Sequence, residues 1–190
     1  MPYSQKYTPH CFFEVLPAET LLTVVIYGKK VIFSLILDQL LVNGFLLTKI
    51  KEISLHWLLS IDVKPFDVVN DMNQNVFRVK SGSGSIVCEV ILAIGSTTLK
   101  VKAFINGGTK IINLLSDYKT LQMDQYSTLK IFHIYDDVMK AYVIEVVLNG
   151  ISLGYKENTD PKRFYNTEVF TNYGTDSKVY MKNFYLLNLV

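Results

Sequence analysis

Short runs of alternating apolar and polar residues extend over most of this chain and predict β-strands. In the run 55–63, Trp57, Leu59, Ile61 and Val63 fall on one face, so we expect that face to be buried, with Trp57 as a core residue. The other predicted strands are Leu22–Tyr27, Val31–Leu37, Asn75–Lys80, Ile86–Ile94, Thr98–Ile105, Lys110–Leu115, Ser127–Tyr135, Ala141–Leu148, Thr167–Thr171 and Lys178–Leu187.

Turn residues separate these strands at regular intervals. Asn43-Gly44 and Asn149-Gly150 are strong turn signals, and strands are favoured over a helix within Leu35–Leu47. Many short strands without a long amphipathic helix predict an all-β antiparallel sandwich, or jelly roll, with little or no helix. Residues 11–190 are expected to form one domain after a loose arm at 1–10.

The composition supports a folded domain and argues against a nucleic-acid partner. Apolar residues make up 49% of the chain and charged residues 19%, which is ample for a core. The net charge is +2, and the lysines are scattered rather than gathered in a block.

The start of the chain contains neither a clear signal peptide nor a transmembrane segment. The apolar stretch Leu21–Val42 is interrupted by Lys29, Lys30 and Asp38, so it never reaches the roughly 18 residues of a spanning helix. The residues after Met1 do not form the basic region, apolar run and cleavage site of a signal peptide. The protein is therefore intracellular, or its signal lies upstream.

The chemistry-bearing residues are sparse. Cys11 and Cys88 form either one disulfide or two buried free thiols. His133 is expected on the face of an apolar strand, and no histidine has a metal partner at ligand spacing. Glu145 lacks the second carboxylate that glycoside hydrolysis requires, so no catalytic residue is predicted.

An oxygen-rich loop follows the strand that contains Trp57. Asp67 and Asp71 are candidate Ca²⁺ ligands, because Ca²⁺ prefers such oxygens. The spacing is not that of an EF-hand, and the alternative is a solvated turn whose side chains cap their own backbone.

The order of motifs resembles the concanavalin A-like sandwich modules (laminin-G, pentraxin and galectin-like) of extracellular animal proteins. The motifs that carry the resemblance are Ser60–Pro65, Asn75–Val79, Ser127–Phe132, Tyr142–Gly150, Glu168–Asn172 and Val179–Phe184. The resemblance covers Leu47–Val190 and implies a return strand after Asn149-Gly150. It also implies an extracellular, non-enzymatic binding or adhesion module whose partner is a glycan or an extracellular protein.

Candidate ligand contacts lie in the turn-rich late segment. Asn158, Asn166, Asn172 and Tyr173 are the hypothesised binding residues, together with the tyrosines expected to be exposed, Tyr142, Tyr155, Tyr165 and Tyr180. Asn172–Thr175 stands where the family has Asp-Pro-Trp, so this loop is altered.

A second function class also fits the composition. Near-neutral charge and tyrosine-rich strands suit a structural or self-assembling matrix or coat protein without a small-ligand site. In that case the edge strands of the sheets would pair between copies of the chain as a homo-oligomer.

Overall fold

The structure is a computed structural model that describes residues 22–27, 30–35, 39–40, 46–115, 117–171 and 178–189, with backbone only before residue 46. These residues form strands and no helix, and therefore none long and apolar enough to cross a membrane. The strands are β1 Leu22–Tyr27, β2 Lys30–Leu35, β3 Gln39–Leu40, β4 Leu46–Ile53, β5 His56–Pro65, β6 Gln74–Lys80, β7 Ile86–Leu92, β8 Leu99–Ile105, β9 Gly108–Ile112, β10 Ser127–Asp136, β11 Ala141–Leu148, β12 Ile151–Asn158, β13 Phe164–Thr171 and β14 Val179–Leu189.

Two antiparallel sheets make up the fold. The larger sheet has the order β1-β2-β14-β5-β10-β11-β12, with β3 also paired to β14. The smaller sheet has the order β4-β13-β6-β7-β8-β9. This arrangement confirms the predicted all-β antiparallel sandwich.

The core lies between the two sheets and follows the predicted alternation. Trp57 is 2% exposed and Leu59 is fully buried, as expected for the inward face of β5. Across the interior, the rings of Phe77 and Phe184 meet edge to face with centroids 6.2 Å apart. Each such fully buried side chain contributes about 1.5–3 kcal/mol to folding.

Most predicted strands are confirmed within a few residues. β1 and β2 pair as the expected hairpin, and Ala141–Leu148 has the predicted bounds. The alternating pattern alone did not predict β12, which corresponds to the return strand that the resemblance implies. The arm at 1–10 and the turn at Asn43-Gly44 lie outside the described residues.

A close approach at β12 helps to close one open side of the sandwich. Gly154 has φ +146°, and a Cβ added there would lie 2.6 Å from the Asn113 backbone oxygen. The adjacent Leu115 N–H donates to the Leu153 carbonyl over 2.7 Å. The chain after β9 is thereby held against β12.

Gly154→Ala is expected to lower the free energy of unfolding by about 1–3 kcal/mol, because the new methyl group meets backbone in a conformation that side chains avoid. Urea denaturation measures the change. Gly108→Ala is the matched control, since its Cβ has open space and its φ is not positive. Equal losses in both variants would contradict this account.

Candidate functional site

The outer face of the smaller sheet is covered by internal ion pairs. Glu89 is fully buried between Arg78, whose Nε lies 2.6 Å from Oε1, and Lys102, whose Nζ lies 3.1 Å from Oε2. Lys49 Nζ lies 3.0 Å from Glu168 Oε1 on the same face. The charges of Arg78, Lys102 and Lys49 are therefore compensated within the protein.

The outer face of the larger sheet is built differently. In the register of β5 and β14, Lys64 lies opposite Tyr180, and Asp62 lies opposite Lys182. All four side chains are partly exposed and alternate with buried residues along their strands, so they point outward. Lysines and aromatic rings are thus side by side at one end of this face.

The lysine–aromatic cluster consists of Lys64, Phe66, Tyr126, Lys178, Tyr180 and Lys182. The Nζ of Lys64 lies 4.9 Å from the Tyr126 ring centroid and 4.6 Å from that of Tyr180. The Nζ of Lys182 lies 3.8 Å from the same Tyr126 centroid. Phe66 and Tyr180 are in ring contact, with centroids 5.0 Å apart. Two ammonium groups therefore share one aromatic ring.

Backbone hydrogen bonds hold the cluster together. The Phe66 N–H donates to the Lys178 carbonyl over 3.0 Å, which ties the end of β5 to the start of β14. The Asp124 N–H donates to the Pro65 carbonyl over 2.8 Å, which brings the segment containing Tyr126 alongside. The rings are thus positioned by main-chain contacts from three segments.

Asp62 is the carboxylate beside these lysines, and neutral donors engage it. Thr128 Oγ1 donates to Asp62 Oδ1 over 2.7 Å, and Asn183 Nδ2 donates to Oδ2 over 2.7 Å. In the part of the chain that the structure describes, neither Lys64 nor Lys182 has a carboxylate within 4.0 Å. Their charges remain uncompensated there.

A β-bulge in β14 creates this arrangement. The register with β5 shifts between Lys182 and Tyr185, and Asn183 adopts φ 50°, a left-handed conformation that asparagine tolerates. The extra residue lets Lys182 point outward and Phe184 inward while Asn183 reaches Asp62.

The cluster offers two kinds of contact to a ligand. Each ammonium group has three N–H donors, and half-exposed rings present apolar surface. Ammonium groups close to aromatic faces are held by cation–π attraction worth about 0.5–1 kcal/mol at exposed sites. A ligand with oxygen acceptors and C–H faces matches both features.

The hypothesised binding residue Asn158 lies inside the sandwich. Its exposure is 2%, its Nδ2 lies 3.0 Å from His133 Nε2, and its Oδ1 accepts from the Asn106 N–H over 3.0 Å. Asn158 therefore has a structural role at one end of the fold.

An aromatic stack surrounds His133, which is 2% exposed. Its ring centroid lies 5.8 Å from that of Trp57 and 5.4 Å from that of Tyr142, which also contacts His56. Burial lowers the pKa of His133 to about 4. The nearby Leu55 carbonyl opposes this shift and His56 adds slightly to it. His133 is therefore a core residue.

The remaining hypothesised ligand contacts do not share one surface. Asn166 and Tyr165 are exposed on β13 of the smaller sheet, whereas Tyr155 is exposed on β12 of the larger sheet. Asn172 and Tyr173 lie outside the described residues. Ligand binding by Asn166, Asn172 and Tyr173 stays a prediction.

The candidate calcium ligands Asp67 and Asp71 are both exposed. Asp67 Oδ1 accepts from the Val68 N–H over 2.8 Å, and Oδ2 lies 4.0 Å from Lys178 Nζ. Within the described ranges, no three His, Cys, Asp or Glu residues are grouped to hold a metal. A calcium site here stays a prediction.

Cys88 is a buried free thiol in the core, where burial and the neighbouring Glu89 raise its pKa. Cys11 lies outside the described residues, so the disulfide between them stays a prediction. Among the described residues, the expectation of a buried thiol at position 88 fits the structure.

Sequence reasoning did not identify the lysine–aromatic cluster. The signal was present as outward positions in two predicted strands, at Lys64 in one and at Tyr180 and Lys182 in the other. What was missing was the register that places these strands side by side.

No protein-family model and no curated protein sequence matches this chain. Among solved structures, the Trypanosoma cruzi calreticulin globular domain aligns with a TM-score of 0.50 and 10% identity, covering 87% of this chain and 72% of that one. Galectin LEC-6 from Caenorhabditis elegans aligns at 0.49 and 11%, covering 78% and 94%. This likeness shows the fold alone, and the expected concanavalin A-like jelly-roll sandwich is confirmed.

The expectation that this protein is not an enzyme is corrected. An alginate lyase from Alteromonas sp. 272 also aligns, with a TM-score of 0.46, 13% identity and 71% coverage of both chains. A structure named as a lyase is thus among those that align, and the exclusion of catalysis is withdrawn. Equally, the likeness does not show that this chain is an enzyme.

Proposed function

We propose that this chain is a glycan-binding module whose ligand lies on the lysine–aromatic cluster. The observation that carries the proposal is the partly exposed group of Tyr126, Tyr180 and Phe66 beside Lys64 and Lys182. Sugar rings have apolar C–H faces that pack on aromatic rings, and hydroxyl oxygens that accept hydrogen bonds from ammonium groups.

The two sheet faces support this choice of surface. On the smaller sheet, Glu89 and Glu168 form ion pairs with Arg78, Lys102 and Lys49. On the larger sheet, Asp62 accepts from Thr128 and Asn183, and no carboxylate of the described residues lies within 4.0 Å of Lys64 or Lys182. An extracellular setting and a role in adhesion are part of the proposal, since polymeric glycans are abundant outside cells.

Tyr180→Leu and Tyr126→Leu are each expected to weaken glycan binding about tenfold, because an aromatic contact contributes about 0.5–1.5 kcal/mol beyond its buried area. Affinity electrophoresis through gels that contain one neutral or one acidic polysaccharide measures the change. Leucine keeps much of the apolar volume, and thermal unfolding checks that each variant is folded.

Tyr165→Leu provides the matched control, because Tyr165 is 55% exposed on the smaller sheet, away from the cluster. Its binding should equal that of the unmodified protein. Loss of binding in this control, with retention in the Tyr180 and Tyr126 variants, would move the site to the other face.

A further inference from the structure

The lysines of the lysine–aromatic cluster indicate the charge of the ligand, which the aromatic rings alone do not indicate. Lys182 Nζ and Lys64 Nζ lie 3.8 and 4.9 Å from one ring centroid, that of Tyr126. Like charges held near one another repel, and a bound anion replaces that repulsion with two attractions. A single negative group beside the Tyr126 ring is therefore attracted by both ammonium groups.

The protein has a carboxylate in position to neutralise these lysines but does not use it in this way. Asp62 lies opposite Lys182 in the sheet register, yet its two oxygens accept from Thr128 Oγ1 and Asn183 Nδ2. The bulge at Asn183 delivers the second of these donors. The side chains around Asp62 therefore hold its carboxylate away from the pair.

Three cations on the outer face of the smaller sheet are arranged in the opposite way. Arg78 and Lys102 converge on the buried Glu89, and Lys49 lies 3.0 Å from Glu168. Within the cluster itself, Lys178 is 4.0 Å from Asp67. Lys64 and Lys182 differ from these cations because both lie at one aromatic ring and neither has a carboxylate within 4.0 Å among the described residues.

We propose that the ligand is an acidic glycan, and that Lys64 and Lys182 together bind one carboxylate or sulfate of it beside the Tyr126 ring. This inference rests on the proposed glycan-binding function and names the class of glycan. Two lysines suit a charge carried on a sugar unit, whereas a nucleic acid is held by many successive phosphate contacts. Adjacent rings at Tyr180 and Phe66 contact the neutral part of the same polymer.

The test uses the full chain and four polymers of matched length: dextran, dextran sulfate, polygalacturonate and polyphosphate. Isothermal titration calorimetry at two salt concentrations measures affinity and its salt dependence. Dextran sulfate or polygalacturonate is expected to bind at least tenfold more tightly than dextran, and salt should weaken that binding. Comparison of the two acidic glycans identifies the sulfate or the carboxylate as the preferred group.

Lys64→Gln and Lys182→Gln are each expected to reduce affinity for the acidic glycan about tenfold and to lessen its salt dependence. Lys182→Arg keeps the charge and should retain most of the binding. Lys49→Gln is the matched control on the smaller sheet and should bind as the unmodified protein does. Unchanged urea midpoints show that the glutamine variants are folded.

The possible failures are distinguishable. Equal affinity for dextran and the acidic glycans, with no effect of Lys64→Gln or Lys182→Gln, overturns the acidic-glycan inference but leaves the proposed function standing. Polyphosphate binding as tight as that of the acidic glycans overturns the inference in favour of unspecific charge attraction. No binding to any of the three glycans counts against both proposals.

Discussion

Arg78→Met is expected to lower the free energy of unfolding by about 3–5 kcal/mol, because it leaves a buried carboxylate short of its main partner. Glu89 is fully buried, and the Arg78 guanidinium donates to its Oε1 through Nε and Nη2. Lys102 remains near Oε2, but its contact is ionic rather than a well-aligned hydrogen bond. Methionine keeps much of the side chain's apolar length, so the loss reports chiefly on the charge.

Urea denaturation measures this loss, and Lys49→Met is its control. Lys49 and Glu168 form an ion pair on the same sheet face, but their side chains are 68% and 35% exposed. Exposed ion pairs contribute about 0–1 kcal/mol, so the control should change little. Similar losses at both positions would show that burial of Glu89 does not set the cost.

Acidification from pH 6.5 towards pH 4 is expected to remove about 3 kcal/mol of stability through His133 alone. The pKa of His133 falls from 6.5 to about 4 on folding, because the charged form is disfavoured inside the sandwich. Between these values the unfolded chain binds the proton and the folded chain does not. Stability is therefore complete above about pH 6.5 and declines as the pH falls towards the folded value.

His133→Gln separates this contribution from that of the carboxylates. Its amide oxygen can accept from Asn158 Nδ2, and it cannot take up a proton in this range. Urea midpoints of the variant should depend less on pH between 6.5 and 4 than those of the unmodified protein. His56→Gln, at a partly exposed position, should keep the original dependence. Parallel pH profiles for His133→Gln and the unmodified protein would contradict the assignment.

The parts of the fold that the sequence predicted well are those with one fully buried face. In β5 and β10, the inward residues are mostly apolar and the outward ones mostly polar or partly exposed, so the period of two agrees with the burial. The alternating pattern did not predict β12, because β12 is an edge strand of the larger sheet. Of its residues only Leu153 and Asn158 are buried, which leaves too few apolar positions to form a visible alternation.

The candidate site was less predictable, because it depends on pairing between distant strands. Lys64 and Tyr180 meet through the antiparallel register of β14 with β5, and no pattern within either strand specifies that register. Asn158 was expected to contact a ligand at the surface, but the structure buries it. A polar residue in a turn-rich segment suggests a surface contact, but here the interior contains a histidine that its amide can satisfy.

The bulge at Asn183 divides β14 into two segments in which inward and outward positions alternate with opposite phase. Before it, Val179 and Met181 point into the core and Tyr180 and Lys182 point outward, whereas after it Phe184 and Leu186 point into the core. An inserted residue shifts the inward–outward phase of a strand by one position. Substitution of the outward residues before the bulge therefore leaves the inward residues after it in place. At the proposed glycan site, Tyr180 and Lys182 can change without repacking Phe184 and Leu186.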